Sequence, residues 1–171
     1  MATKADFSAI EWKILRDAPH LVVVAAAAAG GSGLFGTLKE AIAPAAAMIE
    51  AIQGDNELLR QLCDKQEMRS AVDEIREGAK LLGFREFQTY FHHQAVARSR
   101  EALVILESKE THGDARAYAD FLMNLANRVT SAAKEGGFVG FGGERISEGE
   151  RVFLSELSQA LGQPCEPIFQ A

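Results

Sequence analysis

The sequence predicts an all-α fold, a helical bundle of roughly six to eight helices with no significant sheet. Three observations carry this reading. Apolar residues recur at alternating spacings of three and four along most of the chain, the period of a helix face. Three of these stretches open with Ser or Thr followed three residues later by Glu (Ser8/Glu11, Thr37/Glu40 and Ser147/Glu150), the signature of a capping box. No strand-like alternation is found, apart from the triplet Val22-Val23-Val24, which is embedded in alanines. The chain has 171 residues, 47% of them hydrophobic, enough for one domain with a sizeable core. We expect residues 1–162 to form that domain and 163–171, with Pro164 and Pro167, to form an extended tail.

The elements follow in order. Ser8 and Glu11 start the first helix, with Phe7 and Trp12 at the staple positions. Asp17-Ala18-Pro19 is expected to end or kink it, because proline removes a donor and restricts the residue before it. His20 to Ala29 is apolar on all sides, which calls for burial on all sides. After Gly30 to Gly36, Thr37 caps a helix whose stripe is Leu38, Ile42, Ala45, Ile49 and Ile52, with a kink expected at Pro44. Gly54 stops this helix and Asp55 caps the next. Leu58 and Leu62 start a further apolar face; Met68, Val72, Ile75, Ala79 and Leu82 form another after a polar break at Asp64 to Glu67. A long helix from Phe84 to Lys109 carries Phe84, Phe87 and Phe91 on one face. Asp114 is expected to cap a helix bearing Tyr118, Phe121, Leu122, Leu125 and Val129. Ser147 starts the last helix and Gly162 closes it.

Charge excludes some functions. The net charge is -6 and no run of five basic residues occurs, so nucleic acid is not an expected partner. The apolar run Leu21 to Ala29 is too short for a bilayer and lacks a basic flank, so no membrane span and no signal peptide are expected. Cys63 and Cys165 belong to no Cys-x-x-Cys pair and suit a reducing, cytoplasmic compartment.

No nucleophile motif is present. Gly31-Ser32-Gly33 follows a helix, whereas a nucleophile elbow follows a strand. Glu86, Tyr90 and His93 share one helix face, with His92 beside them, so Glu86, His92 and His93 are the metal-ligand candidates. A di-iron bundle would add Glu-x-x-His motifs, and the chain has none. Further carboxylates would have to come from Glu50 or Glu74. Five glycines lie between Gly136 and Gly143, in a loop that carries Phe138 and Phe141. These two aromatics either seal the core or contact a partner; they are the partner-binding candidates. Glu144, Glu148 and Glu150 would repel a phosphate there.

The segment Gly143-Glu144-Arg145-Ile146-Ser147-Glu148-Gly149-Glu150, running to Ala160-Leu161-Gly162, resembles the loop-to-helix unit of the tellurite-resistance TerB-like family. The resemblance implies a bacterial, cytoplasmic, all-helical module. That family's turns carry acidic residues proposed to bind metal. Gly30-Gly31 offers no acid, so the resemblance implies no metal site here. The sequence thus points to a non-enzymatic interaction or stress-associated module without cofactor, meeting a protein partner or a second copy of itself. The alternative is a ferritin-like bundle that holds metal or a small apolar ligand, the latter between the Val/Ala helix and the Phe84 face.

Overall fold

The computed structural model describes residues 1–30, 38–80, 82–109, 111–136 and 146–163. Among these residues the chain is all-helical. A short 3-10 turn, Lys4–Asp6, precedes α1 (Ala9–Ala29), α2 (Leu38–Gln53), α3 (Glu57–Leu62), α4 (Lys65–Ala79), α5 (Phe84–Ser108), α6 (His112–Gly136) and α7 (Glu148–Ala160).

Local chemistry sets the helix ends. At α1 the Ser8 amide donates to Glu11 Oε2 at 2.7 Å, and the Glu11 amide donates to Ser8 Oγ at 3.3 Å. Phe7 and Trp12 meet across that cap with ring centroids 6.1 Å apart. The Ser147/Glu150 box repeats the reciprocal pair at 2.8 and 3.2 Å. Gly162 adopts a φ of 61° after α7. This lets its amide reach the Gln159 carbonyl at 3.2 Å and the Gln163 amide reach Ser158 at 3.0 Å, a Schellman ending. Residues 164–171 of the expected tail lie outside the described residues, as does Thr37.

Pro19 does not end the first helix. α1 runs through it as one helix of 21 residues. Proline leaves the Leu15 carbonyl without its intrahelical donor. The Tyr118 hydroxyl, fully buried on α6, donates to that carbonyl at 2.8 Å. A tertiary hydrogen bond thus takes the place of the helical one. α2 likewise continues through Pro44.

Two caps shift by a residue or change role. Asn56, not Asp55, caps α3, its Oδ1 accepting from the Leu59 amide at 3.0 Å. Asp114 lies inside the first turn of α6 and is buried. It accepts from the Ala2 amide at 2.6 Å and from Asn56 Nδ2 at 3.1 Å, which ties the N-terminal segment and α3 to α6.

On α2 the last two residues of the expected stripe do not face inward; the side chains of Leu38, Ile42 and Ala45 lie outside the described residues. Ile49 and Ile52 are 53% and 40% exposed, while Ala47 and Met48 are buried. The fork of Arg128 on α6 grips Glu50 through two bonds, at 3.0 and 2.6 Å. Ala47 and Met48 lie against the core on the other side of the helix.

α1 is the central helix and packs on α4, α5, α6 and α7. Gln88 Nε2 donates to the Ala28 carbonyl at one end and Lys109 pairs with Glu11 at the other, so α5 runs antiparallel to α1. Trp12 reaches Glu67 and Arg16 reaches Glu74, so α4 runs parallel to it. The Ala-rich half of α1 has no exposed residue, as expected for a helix surrounded by others. The core around it includes Leu15, Val22, Phe91, Leu106, Leu122, Phe153 and Leu157. Each such side chain contributes about 1.5–3 kcal/mol by leaving water. No described helix is long and apolar enough to cross a membrane.

Candidate functional site

The first half of α5 carries the metal-ligand candidates, and the fold separates them. Glu86 turns back to accept from the Gly83 amide at 3.0 Å, so its carboxylate serves the start of the helix. Tyr90 is exposed and sets its ring edge-on to Phe91. His93 is exposed, 5.8 Å from His92 between ring centroids. His92 alone meets a carboxylate from another helix: its Nε2 lies 2.7 Å from Glu156 Oε2 on α7. The ring also stands edge-on to the buried Phe153, at 5.3 Å and 75°. The sequence reading missed Glu156, because α5 and α7 are 64 residues apart at this pair.

His92 and Glu156 border a cleft of about 330 Å³ at the C-terminal end of α1. Ala25 and Ala29 contribute from α1, Gln88, Thr89 and His93 from α5, and Gly149 from α7. Glycine is required at 149 on packing grounds. A Cβ at Gly149 would lie 2.6 Å from the Ala29 carbonyl oxygen, so α7 starts against the end of α1 only with glycine there. The α5 side of this cleft is polar, because Phe87 and Phe91 turn into the core.

Glu50 and Glu74 do not join this cleft. Glu50 is held by Arg128, and Glu74 by Arg16 and Lys13. Among the described residues, no group of three or more His, Cys, Asp or Glu is placed to hold a metal ion. Cys63, His20 and Tyr118 are withdrawn from water. Burial pushes the Cys63 thiol up to about 12, far from a nucleophilic thiolate at neutral pH. Burial lowers His20 to about 4, a shift that Asp17 opposes and Arg16 reinforces. Burial likewise raises the Tyr118 hydroxyl well above its usual range, with Cys63 and Asp17 adding to the effect.

A second cleft, of about 390 Å³, lies between the N-terminal segment, the end of α2, α3 and the start of α4. Lys4, Arg60, Glu57, Asp64 and Glu67 line it with both signs of charge. Phe138, Phe141, Ser32 and Cys165 lie outside the described residues. Compared with protein-family models, curated proteins and solved structures, the chain gives no significant match.

Proposed function

We propose that this chain is a non-enzymatic helical interaction module, cytoplasmic and of the stress-associated kind that the TerB-like resemblance implies. The observation that carries this reading is the orientation of α2. It turns Ile49 and Ile52 to solvent while burying Ala47 and Met48. Two isoleucines one turn apart and open to solvent offer a contact surface to a partner or to a second copy. The engagement of Cys63, His20 and Tyr118 in packing supports the same reading, since catalytic groups are usually perturbed within an open cleft. Phe138 and Phe141 are the further contact candidates.

Native mass spectrometry of protein purified without chelator tests this. The expected result is a mass free of metal and small molecule, with a dimer or a co-purified protein that disappears in Ile49→Asp/Ile52→Asp while the helical circular dichroism stays. A stoichiometric added mass of one or two metal ions, or of a small molecule, overturns it. That outcome would favour the second reading, a ligand-holding bundle, which is supported by the His92–Glu156 pair at its cleft.

A further inference from the structure

Before Trp12, Ala2 is the only buried residue of the chain, while Met1 directly before it is 81% exposed. The Ala2 amide donates to Asp114 Oδ2 at 2.6 Å, and Asn56 Nδ2 donates to Oδ1 of the same carboxylate at 3.1 Å. Both donors are neutral. Asp114 is 4% exposed, and among the described residues no Lys, Arg or His pairs with it. The buried Arg16, by contrast, meets two carboxylates, Asp17 and Glu74. The start of α6 offers Asp114 only the partial positive charge of a helix end. Because this carboxylate is already out of water, a cation brought to it gains attraction with no further desolvation on the acidic side.

We propose that Ala2 supplies this cation: the Met1–Ala2 bond is a processing site, and its hydrolysis makes the Ala2 nitrogen an α-ammonium seated on Asp114. The oxygen of a water molecule goes to the Met1 carbonyl carbon and the carbon–nitrogen bond breaks. Methionine leaves as the free amino acid with its carboxylate, and the protons go to the Ala2 nitrogen, which becomes –NH3+. The agent is a methionine aminopeptidase, a class of enzyme that admits a small second residue such as alanine, acting before Ala2 is buried.

The geometry suits the change. One N–H stays on Asp114, and the other two face the space that the exposed Met1 leaves to water. Little packing is lost with so exposed a residue. The new ion pair ties the start of the chain to α6 and, through Asn56, to α3. Asp6 of the 3-10 turn is the other acid near the chain start. Hydrogen bonds from Thr3 hold its carboxyl below the ordinary value, with Lys109 and the charge at the chain start adding to them. It favours the ammonium in the same sense as Asp114. This role is independent of the α2 surface.

The intact mass of untagged protein is read first. It should be one methionine residue short; a retained Met1 overturns the inference. Chains of defined start, 1–171 and 2–171, freed from ubiquitin fusions, then test the pair by urea unfolding. Near neutral pH the folded-to-unfolded ratio of 2–171 should be about tenfold the higher. An amine raised in the folded state stabilises fully below its unfolded value, about 7.7–8.0, and that contribution is lost as pH rises through the folded value. The two chains should therefore converge at alkaline pH, and Asp114→Asn should remove their difference. Equal stability, or a difference that survives alkaline pH or Asp114→Asn, overturns the inference. Should Asp114→Asn fail to fold, acylation of the α-amine decides. In folded 2–171 it should be about tenfold slower than at the exposed amine of 1–171, because the ion pair holds the amine protonated; equal rates overturn the inference.

Discussion

Helix α7 turns Phe153, Leu154, Leu157 and Ala160 into the core. Helix α4, slightly longer, buries only Ala71 fully, packs the half-buried Met68, Ile75 and Ala79 against the core, and meets the N-terminal part of the chain through Glu67 and Glu74 as well. Both helices start with a side-chain cap, Ser147 for α7 and Asp64 for α4. Both carry apolar residues at helical spacing. The difference lies in what each stripe meets. α7 lies against α1, α5 and α6, whereas α4 leans on α1 and touches α3. A stripe with several neighbours leaves water completely and gains the full transfer energy. A stripe with one main neighbour keeps an exposed margin, and charge pairs then carry more of its docking. Docking by exposed pairs is weak, because each contributes about 0–1 kcal/mol and salt screens it. Local stability should therefore differ along the chain, low at α4 and near the global value at α7.

The largest expected effect separates the two helices directly. Leu157 is fully buried, and Leu157→Ala should cost about 2–5 kcal/mol in urea unfolding. Ile75 is half-buried on α4, and Ile75→Ala should cost at most about 1 kcal/mol. Equal losses would remove the contrast.

Next comes the seat of α7 on the end of α1. An alanine at Gly149 would gain helix propensity, but its Cβ would meet backbone, the Ala29 carbonyl oxygen, at 2.6 Å. Backbone cannot rotate away as a flexible side chain can, so the clash outweighs the gain. Gly149→Ala should destabilise by about 1–3 kcal/mol. A neutral or stabilising result would mean that α7 can slide on α1, and that its docking is less tight than its burial implies.

These two sites show what could be read from the chain beforehand. Helix identity, the capping boxes at Ser8 and Ser147 and the burial of the Ala-rich run were legible, because each depends on residues within one or two turns. Which of the two outcomes expected at Pro19, an end or a kink, was not: α1 does not end there. The carbonyl that proline leaves free is satisfied by the Tyr118 hydroxyl, 103 residues away. The outward turn of Ile49 and Ile52 was hidden for the same reason, since it follows from how α2 packs on α6 and α3, where Arg128 meets Glu50. At the candidate site, His92 was visible as a histidine on a polar face, but its partner Glu156 comes from α7. Periodicity states which residues form a stripe. It does not state how many neighbours cover that stripe, and so α4 and α7 look equivalent until they are placed.

Acid should act on α4 before it acts on α7. Burial pushes the Glu67 carboxyl up, but the hydrogen bonds from Lys4 and Trp12, with the charges of Lys4 and Arg16, outweigh it and hold the group below its ordinary 4.5. A carboxyl lowered in the folded state stabilises that state fully above its unfolded value. The contribution is lost as pH falls from about 4.5 through the folded value. Trp12 is the only tryptophan and donates directly to Glu67, so its fluorescence reports this step. The expected outcome is a change in Trp12 emission below pH 4.5 that precedes loss of helical circular dichroism and is absent in Glu67→Gln. An emission change that coincides with global unfolding would place α4 in the same cooperative unit as α7.

The smallest effect is the most discriminating. Gly78 lies near the end of α4, and an added Cβ there would meet nothing within 4 Å. Gly78→Ala therefore changes helix propensity and leaves packing alone, a local gain on the order of 0.5–1 kcal/mol. Where that gain appears depends on how α4 opens. If α4 unfolds together with the rest of the molecule, the whole gain enters the global free energy and the urea midpoint rises. If α4 opens first, the globally unfolding species has already lost it. The midpoint then stays in place, and only the amides of 65–79 exchange more slowly. The weak apolar cover of α4 leads us to expect the second pattern. A full midpoint shift from this one substitution would show that Glu67, Glu74 and Ala71 hold α4 as firmly as the buried face of α7 holds its own helix.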